Sequence, residues 1–334
     1  MKVVVYSDLH YAGAAERSRR GFEARAIGNP LLRGMALAWR HWIWLRDPMA
    51  HNHRLDALLA ANPSPDLVVA NGDFTVDSAF VGVSDEAALA SAAEALERLR
   101  VAYGSRFLAT IGDHELGKQS LFGGAGGLRL ESWHRCADAL ALESVWRRDI
   151  GPWSLVGIAS TPAALPVFAP EMLPSERSDW EAVGRDVRDQ YRAVLDSIGS
   201  DRRILLFVHD PSALPFLARE ASVVGRLPQV VQTIIGHLHT PSLFRVAQGL
   251  AGMPRIGFLG NTARRYSSAL REARVWREFR TVLCPSPAGI QLLKDGGWLE
   301  IELSPDPASE SALLIQRRRL PWDPEPRAVT PRSR

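Results

Sequence analysis

The stretch Lys2–His10, KVVVYSDLH, decides the fold. Its first part, Lys2–Tyr6, is short, apolar and rich in β-branched residues, which predicts a buried strand. Two residues able to bind a metal, Asp8 and His10, follow at once. The segment 66–73, DLVVANGD, repeats this order, with a predicted strand at Asp66–Ala70 and then an aspartate. Because ligands in α/β proteins bind outside the carboxyl ends of strands, the sequence predicts a site assembled from such ends.

The rest of the chain alternates between strand and helix patterns. The further predicted strands are Arg106–Ile111, Trp153–Ala159, Ile204–Val208, Val230–Ile235 and Ile256–Gly260. The predicted helices are Leu31–Arg46 with Asn29 as N-cap, Leu55–Ala61, Ser84–Val101 with Ser84 as N-cap, Leu128–Leu140 and Asp179–Ser197. This alternation predicts an α/β protein.

The C-terminal part of the chain has a different pattern. Three short segments around turns predict antiparallel strands, namely Arg280–Leu283, Gly289–Leu293 and Trp298–Leu303. Residues 304–334 are rich in Pro and Arg and predict a flexible tail. We therefore expect one domain over residues 1–303, with residues 11–50 as a helical insertion after the first strand.

Composition excludes several classes of protein. Of the 334 residues, 46% are hydrophobic and 23% charged, which excludes a disordered chain, a collagen-like fibre and a coiled coil. Two cysteines exclude a disulfide scaffold, and with no signal-peptide pattern they favour a cytoplasmic protein. The formal net charge of +3 favours anionic partners only weakly and predicts no specific nucleic-acid binding. Because 18 consecutive apolar residues do not occur, we expect no spanning helix.

Five polar clusters carry the chemistry. They are Asp8-Leu9-His10, Gly72-Asp73, Gly112-Asp113-His114-Glu115, His209-Asp210 and Gly236-His237-Leu238-His239. Each cluster alone is weak evidence, since a single His after a strand is more often structural. Most of them directly follow a predicted strand, however, and the combination of carboxylate and imidazole suits Mn, Fe, Zn or Mg.

In their order, these clusters resemble the D-x-H, G-D, G-N-H-[D/E], H and G-H-x-H blocks of the calcineurin-like metallophosphoesterase family. The resemblance implies a four-layer α/β/β/α sandwich and two divalent metal ions, for which we favour manganese. It implies a hydroxide between the metals as the nucleophile, with His114 as general acid oriented by Glu115. It also implies a first metal on Asp8, His10 and His239, a bridging Asp73, and a second metal on Asp113, His209 and His237.

One position departs from the family pattern, because Asp113 stands where the family usually has Asn. With two divalent cations and three carboxylates the charge would be +4 − 3 = +1, less positive than with Asn. We expect tighter binding of the second metal, a preference for hard ions, or slower turnover. The alternative is a degraded site on a non-catalytic interaction scaffold.

The insertion and a later arginine pair bear on the substrate. The predicted helix Leu31–Arg46 carries three tryptophans, which predicts either a helix packed on the sandwich or a lid that touches a membrane surface through residues 30–48. This Trp-rich insertion is similar to that of family members that cleave UDP-diacylglucosamine. Arg264 and Arg265 are candidate phosphate contacts, since guanidinium groups bind phosphate bidentately.

The sequence thus predicts a phosphodiesterase or pyrophosphohydrolase acting on a nucleotide or lipid-linked phosphate. A phosphomonoesterase or protein phosphatase is the alternative within the same chemistry. The oligomeric state stays open.

Overall fold

Two five-stranded sheets form the centre of the computed structural model, which describes residues 1–62, 64–122, 124–258, 261–307, 309 and 312–322. The strands are β1 Lys2–Tyr6, β2 Leu67–Asn71, β3 Phe107–Thr110, β4 Val145–Ile150, β5 Trp153–Ile158, β6 Arg203–Val208, β7 Val230–Ile235, β8 Thr281–Leu283, β9 Gly297–Leu303 and β10 Leu313–Arg319. The first sheet has the order β10-β9-β1-β2-β3 and the second β4-β5-β6-β7-β8. Their cores, β1-β2-β3 and β5-β6-β7-β8, are parallel, whereas β4, β9 and β10 pair antiparallel.

The α-helices within the described residues surround these sheets. They are α1 Ala14–Arg17, α2 Phe22–Ala26, α3 Pro30–Trp42, α4 His53–Ala61, α5 Glu86–Tyr103, α6 Asp113–Leu116, α7 Leu130–Asp138, α8 Ser160–Ala163, α9 Leu165–Phe168, α10 Arg177–Asp196, α11 Leu214–Leu217, α12 Ala221–Arg226, α13 Pro241–Gly249 and α14 Asn261–Arg271.

The side chains of a strand point alternately to its two faces, and this alternation explains the layers of the fold. On β1, Val3 and Val5 pack in a cluster with Leu155 and Phe207 of the second sheet, between the two sheets. The intervening Val4 and Tyr6 point the other way, into the cluster that contains the buried faces of α4 and α5. Because successive side chains of a strand face opposite sides, this pattern gives helices outside and sheets inside. The expected four-layer α/β/β/α sandwich is confirmed.

Two helix ends test the capping predictions. Asn29 accepts hydrogen bonds from the amides of Leu31 and Leu32, as an N-cap does. The helix stops at Trp42 instead of Arg46, because the carbonyls of the next two residues accept amides from the segment 291–292. The predicted N-cap of α5, Ser84, is wrong, since the Asp85 carboxylate accepts the two free amides there.

Four predictions for the C-terminal part are wrong. The strand β8 pairs parallel with β7, and the segment 289–293 forms turns, with the amide of Leu293 bonded to the Ile290 carbonyl. Residues 256–258 form no strand, because they run along the surface with Phe258 85% exposed, and residues 259–260 lie outside the described residues. Leu313–Arg319 of the predicted flexible tail is the edge strand β10, fully paired with β9; residues 323–334 lie outside the described part.

Candidate metal centre

The five polar clusters meet at the carboxyl ends of parallel strands. Asp8 and His10 follow β1, Asp73 follows β2, His209 follows β6, and His237 with His239 follows β7. Asp113 begins α6, just after β3. Five of these residues have positive φ angles in the sparsely populated left-handed region, namely Asp8, His10, Asp73, His237 and His239. Such strained backbone is typical of functional sites, where the surrounding structure enforces it.

The predicted ligands fall into the two expected groups. Within each group, one side-chain ligand atom per residue lies within 4.8 Å of every other. One group is Asp8, His10 and His239, and the other is Asp73, Asp113, His209 and His237. The Asp73 carboxylate lies between them, with Oδ2 at 3.9 Å from His10 Nε2 and 3.2 Å from His209 Nε2. If each group held a cation, Asp73 would be the ligand within reach of both.

The donor set fits divalent metal ions. His10 and His209 donate their Nδ1–H groups to the carbonyls of Thr75 and Asn71, which leaves both Nε2 atoms facing the centre. His209 Nε2 is buried and faces two carboxylates, with Asp73 Oδ2 at 3.2 Å and Asp113 Oδ1 at 3.4 Å. His10 Nε2 lies 3.2 Å from His239 Nε2, a close approach of two nitrogen atoms that a shared cation would stabilise. The residues present thus fit the implied metals.

Buried charges perturb the titration of these groups. Burial raises the pKa of Asp8. The pKa of His239 is lowered, first by burial and then by the nearby His10. Burial alone would lower the pKa of His209. The Asp73 and Asp113 carboxylates outweigh this effect and hold the pKa well above the usual range. This concentration of perturbed groups in a cleft is typical of a functional site.

Asp113 is fully buried, and its two carboxylate oxygens face different partners. Oδ1 lies 3.1 Å from His237 Nδ1 and 3.4 Å from His209 Nε2. Oδ2 lies 2.8 Å from Arg265 Nη2 and 3.4 Å from Lys118 Nζ. Burial alone would raise the pKa of Asp113, but Lys118, His237 and Arg265 hold it well below its usual range. The carboxylate is therefore ionised.

His114 and Glu115 differ from expectation in how they cooperate. The His114 Nδ1–H donates to the Val76 carbonyl at 2.8 Å, so this carbonyl orients the ring. The Glu115 carboxylate instead accepts the backbone amides of Asp73, Phe74 and Gly112 at 2.7–2.9 Å. The prediction that Glu115 orients His114 is wrong, because a buried carboxylate in this loop is needed to satisfy three amides.

Of the two arginines predicted to contact phosphate, one lies at the candidate metal centre and the other does not. Both lie on α14 rather than after a strand, and Arg265 reaches the metal centre. Arg264 lines a separate cavity beside Pro166 and Pro215, which is smaller than the cavity at the candidate metal centre. Sequence reasoning missed two charged residues near Arg265: Lys118, four residues after His114, and Glu171. It also assigned no role to Asp210, whose Oδ2 lies 3.7 Å from His237 Nε2, although it directly follows His209 in the sequence.

A cavity of about 290 Å³ opens at the metal centre. His10, His114, His237 and His239 line one end, together with the cations Lys118 and Arg265. Apolar side chains from the insertion and from α14 also line the cavity, including Phe22, Trp39, Trp44, Tyr266 and Leu270. Charged side chains line it too, among them Glu23, Arg40, Glu171 and Asp210. The Trp44 ring lies 4.7 Å from that of His239, so the insertion borders the metal centre directly. In the described part of the chain, each helix is too short or too polar to cross a membrane.

Comparison with known proteins finds one matching family and several similar solved structures. The model of the calcineurin-like phosphoesterase family matches residues 1–241. No curated protein matches the sequence. Similar solved structures include a purple acid phosphatase from yellow lupin, with 14% identity, a TM-score of 0.34, and coverage of 72% of this chain and 38% of the lupin chain.

Two further solved structures are similar over more of their own length. Phosphopantetheinyl hydrolase from Mycobacterium tuberculosis has 12% identity and a TM-score of 0.33, with 72% of this chain and 83% of the other covered. A hypothetical protein from Thermus thermophilus has 13% identity and a TM-score of 0.30, with coverage of 95% and 99%. The match to the family model includes all five clusters. By that match, the chain belongs to the calcineurin-like phosphoesterase family.

Proposed function

We propose that the protein hydrolyses phosphate esters with two divalent metal ions. The observation that carries this proposal is the pair of ligand groups on either side of Asp73, next to His114 and open to a cavity. Asp8, His10 and His239 would hold the first ion, and Asp113, His209 and His237 the second. Two such ions, when bound, activate water and stabilise the charge that develops on a phosphoryl group.

His114 supplies the general acid in this proposal. Its Nδ1–H is committed to the Val76 carbonyl, so the proton for the leaving oxygen must come from Nε2, which lies 3.8 Å from Asp73 Oδ2. Burial, reinforced by Lys118, lowers the pKa of His114 well below the usual range. The ring alone is therefore largely neutral, and the general-acid role requires that a bound substrate phosphate first raise the pKa of His114 toward the operating pH.

The cavity favours a substrate that has an apolar or aromatic part beside its phosphate. Trp39 and Trp44, whose rings stack 5.0 Å apart, form one wall. We propose a phosphodiester or pyrophosphate of a nucleotide or lipid-linked compound, with residues 11–50 acting as a lid.

Hydrolysis of two chromogenic esters in Mn²⁺, combined with metal analysis, tests the proposal. We expect two metal ions per chain and faster hydrolysis of bis(p-nitrophenyl) phosphate than of p-nitrophenyl phosphate. His114→Ala should reduce turnover by about 100-fold or more, whereas His134→Ala, an exposed histidine of α7, should leave it unchanged. Faster monoester hydrolysis would favour the phosphomonoesterase alternative. Absence of bound metal and of turnover with every divalent ion would favour a scaffold.

We further propose that the protein is cytoplasmic and that α3 brings it to a membrane surface. Leu31, Met35 and Trp42 lie on one face of α3 and are 73%, 58% and 68% exposed. Replacing all three by Ser should weaken binding to vesicles of phosphatidylglycerol and phosphatidylcholine by about tenfold or more. Val101→Ser removes an equally exposed apolar side chain from α5 and serves as the control. Equal vesicle binding by the triple variant and the control would contradict this contact.

A further inference from the structure

The charge at Asp113 has partners that the sequence pattern does not reveal. An aspartate at this position adds one negative charge to the centre. Its Oδ2, however, is occupied by the guanidinium of Arg265 at 2.8 Å and by the Lys118 ammonium at 3.4 Å. Only Oδ1 faces the histidines of the second ligand group. The carboxylate thus offers the metal a single oxygen, as an amide would.

Arg265 is fixed in place by more than this one contact. Its guanidinium lies 3.6 Å from both Glu171 and Asp210, and it stacks over the Phe168 ring at 4.4 Å. The side chain is 15% exposed, so its charge is weakly screened by solvent. Because the guanidinium is always protonated, the compensation persists across the pH range in which the protein is folded.

We propose that Arg265 is a positioning residue that offsets the charge of Asp113. The extra charge lowers the expected balance of the loaded centre to +1. The guanidinium, 2.8 Å from Oδ2, offsets that added charge locally, while it also faces Glu171 and Asp210. Asp113 and Arg265 then form one interdependent unit. Arg265 favours the substrate phosphate through this charge balance and through the orientation of Asp113. The metal part of this inference rests on the proposed function; the pairing of the two residues does not.

Geometry makes the pair specific. An Asn at position 113 with its oxygen toward the histidines would turn its NH₂ group toward two further donors, the guanidinium and the ammonium. Asp113→Asn therefore sets an NH₂ group against two donors, and Arg265→Met takes the shared guanidinium from Asp113, Glu171 and Asp210. Removing one partner from a buried group of charges is strongly destabilising. Substituting both residues together removes the mismatch with Arg265.

A double-mutant cycle of Asp113→Asn and Arg265→Met tests the pairing in chelator-treated protein. We expect Arg265→Met to lower the unfolding midpoint by about 5 °C or more. The double variant should recover the part of this loss that comes from Asp113, since Glu171 and Asp210 lack the guanidinium in both variants. Arg271→Met removes an exposed arginine from the same helix and should change the midpoint little. Additive effects of the two substitutions would overturn the inference.

Binding of inorganic phosphate in excess Mn²⁺, measured by calorimetry on folded protein, tests the charge balance. Arg265→Met should weaken phosphate binding by about tenfold, and the double variant should return to within about threefold of the wild type. A purely structural arginine would shift the unfolding midpoint and leave this affinity unchanged, which would overturn the proposed balance. Failure of the wild type to bind Mn²⁺ would refute the proposed function, and the unfolding cycle would still decide the pairing.

Discussion

Replacing Gly72 by Ala tests how the loop after β2 supports the metal centre. Gly72 has a φ of +88°, a conformation that side-chain-bearing residues rarely adopt. A Cβ atom there would lie 2.7 Å from His209 Nδ1 and 2.8 Å from the Cα of Gly112. The carbonyl of Gly72 also accepts the amide of Asp8 at 3.1 Å. A shift of this loop would therefore displace ligands of both groups.

The expected destabilisation has two parts. Holding an alanine in the left-handed region costs about 1–2 kcal/mol. Relieving the overlap with the His209 ring and the Gly112 backbone costs about 1–3 kcal/mol, as overpacking of a core does. Together the free energy of unfolding should fall by about 2–5 kcal/mol. The displaced ligands should also weaken Mn²⁺ binding by about tenfold, since the loop supports them as surrounding hydrogen bonds support a metal site.

Urea unfolding and Mn²⁺ titration measure the two effects. Gly225→Ala is the matched control, because Gly225 lies in α12 with negative φ and open space around its Cα. That substitution should leave Mn²⁺ binding unchanged and raise stability by up to about 1 kcal/mol, as Ala does in a helix. If Gly72→Ala matched the wild type in stability and Mn²⁺ affinity, the reasoning about this loop would be refuted.

Three further outcomes follow from other parts of the structure. Burial raises the pKa of Glu300, but Lys2 and Arg318 outweigh it and lower the pKa, so Glu300→Gln should cost at most about 1 kcal/mol at pH 7. This cost should disappear as the pH falls through the pKa of the folded state, as urea unfolding from pH 7 to pH 3 would reveal; a constant difference would contradict it. Glu115→Gln should destabilise the protein by about 1–3 kcal/mol in the same assay, because its amide would face backbone donors. Mn²⁺ at 100 times its dissociation constant should stabilise chelator-treated protein by about 2.7 kcal/mol for each site that it fills, and an unchanged melting temperature would argue against a native metal site.

The strands and the ligand order could be predicted because both are local. Short apolar runs, VVVY in β1 and ILLFV in β6, identify these strands, and ligand residues follow closely in the sequence. The resemblance then supplied the grouping, and the geometry brings the same residues together. The sequence pattern could not identify contacts between residues that are far apart in the sequence.

Arg265 illustrates such a partner. It contacts Asp113 from a helix 152 residues further along the chain. No spacing rule connects the two residues, so the sequence indicated only a substrate contact. The strand β10 was missed for a similar reason, since the polar run QRRR at 316–319 has no alternation, and pairing with β9 decides its structure. Glu115 was misassigned because the amides that it accepts are defined by the folded loop.

The order of strands in the first sheet constrains how the protein is made. Strand β1 lies between β2 and β9, and Val5 is paired with Leu299. During translation, one edge of β1 therefore stays open until nearly 300 further residues have been synthesised. Contacts so distant in sequence fold slowly, and an open apolar strand edge pairs readily with other chains. For most of the synthesis of the chain, the β9-facing edge of β1 is therefore exposed to pairing with other strands.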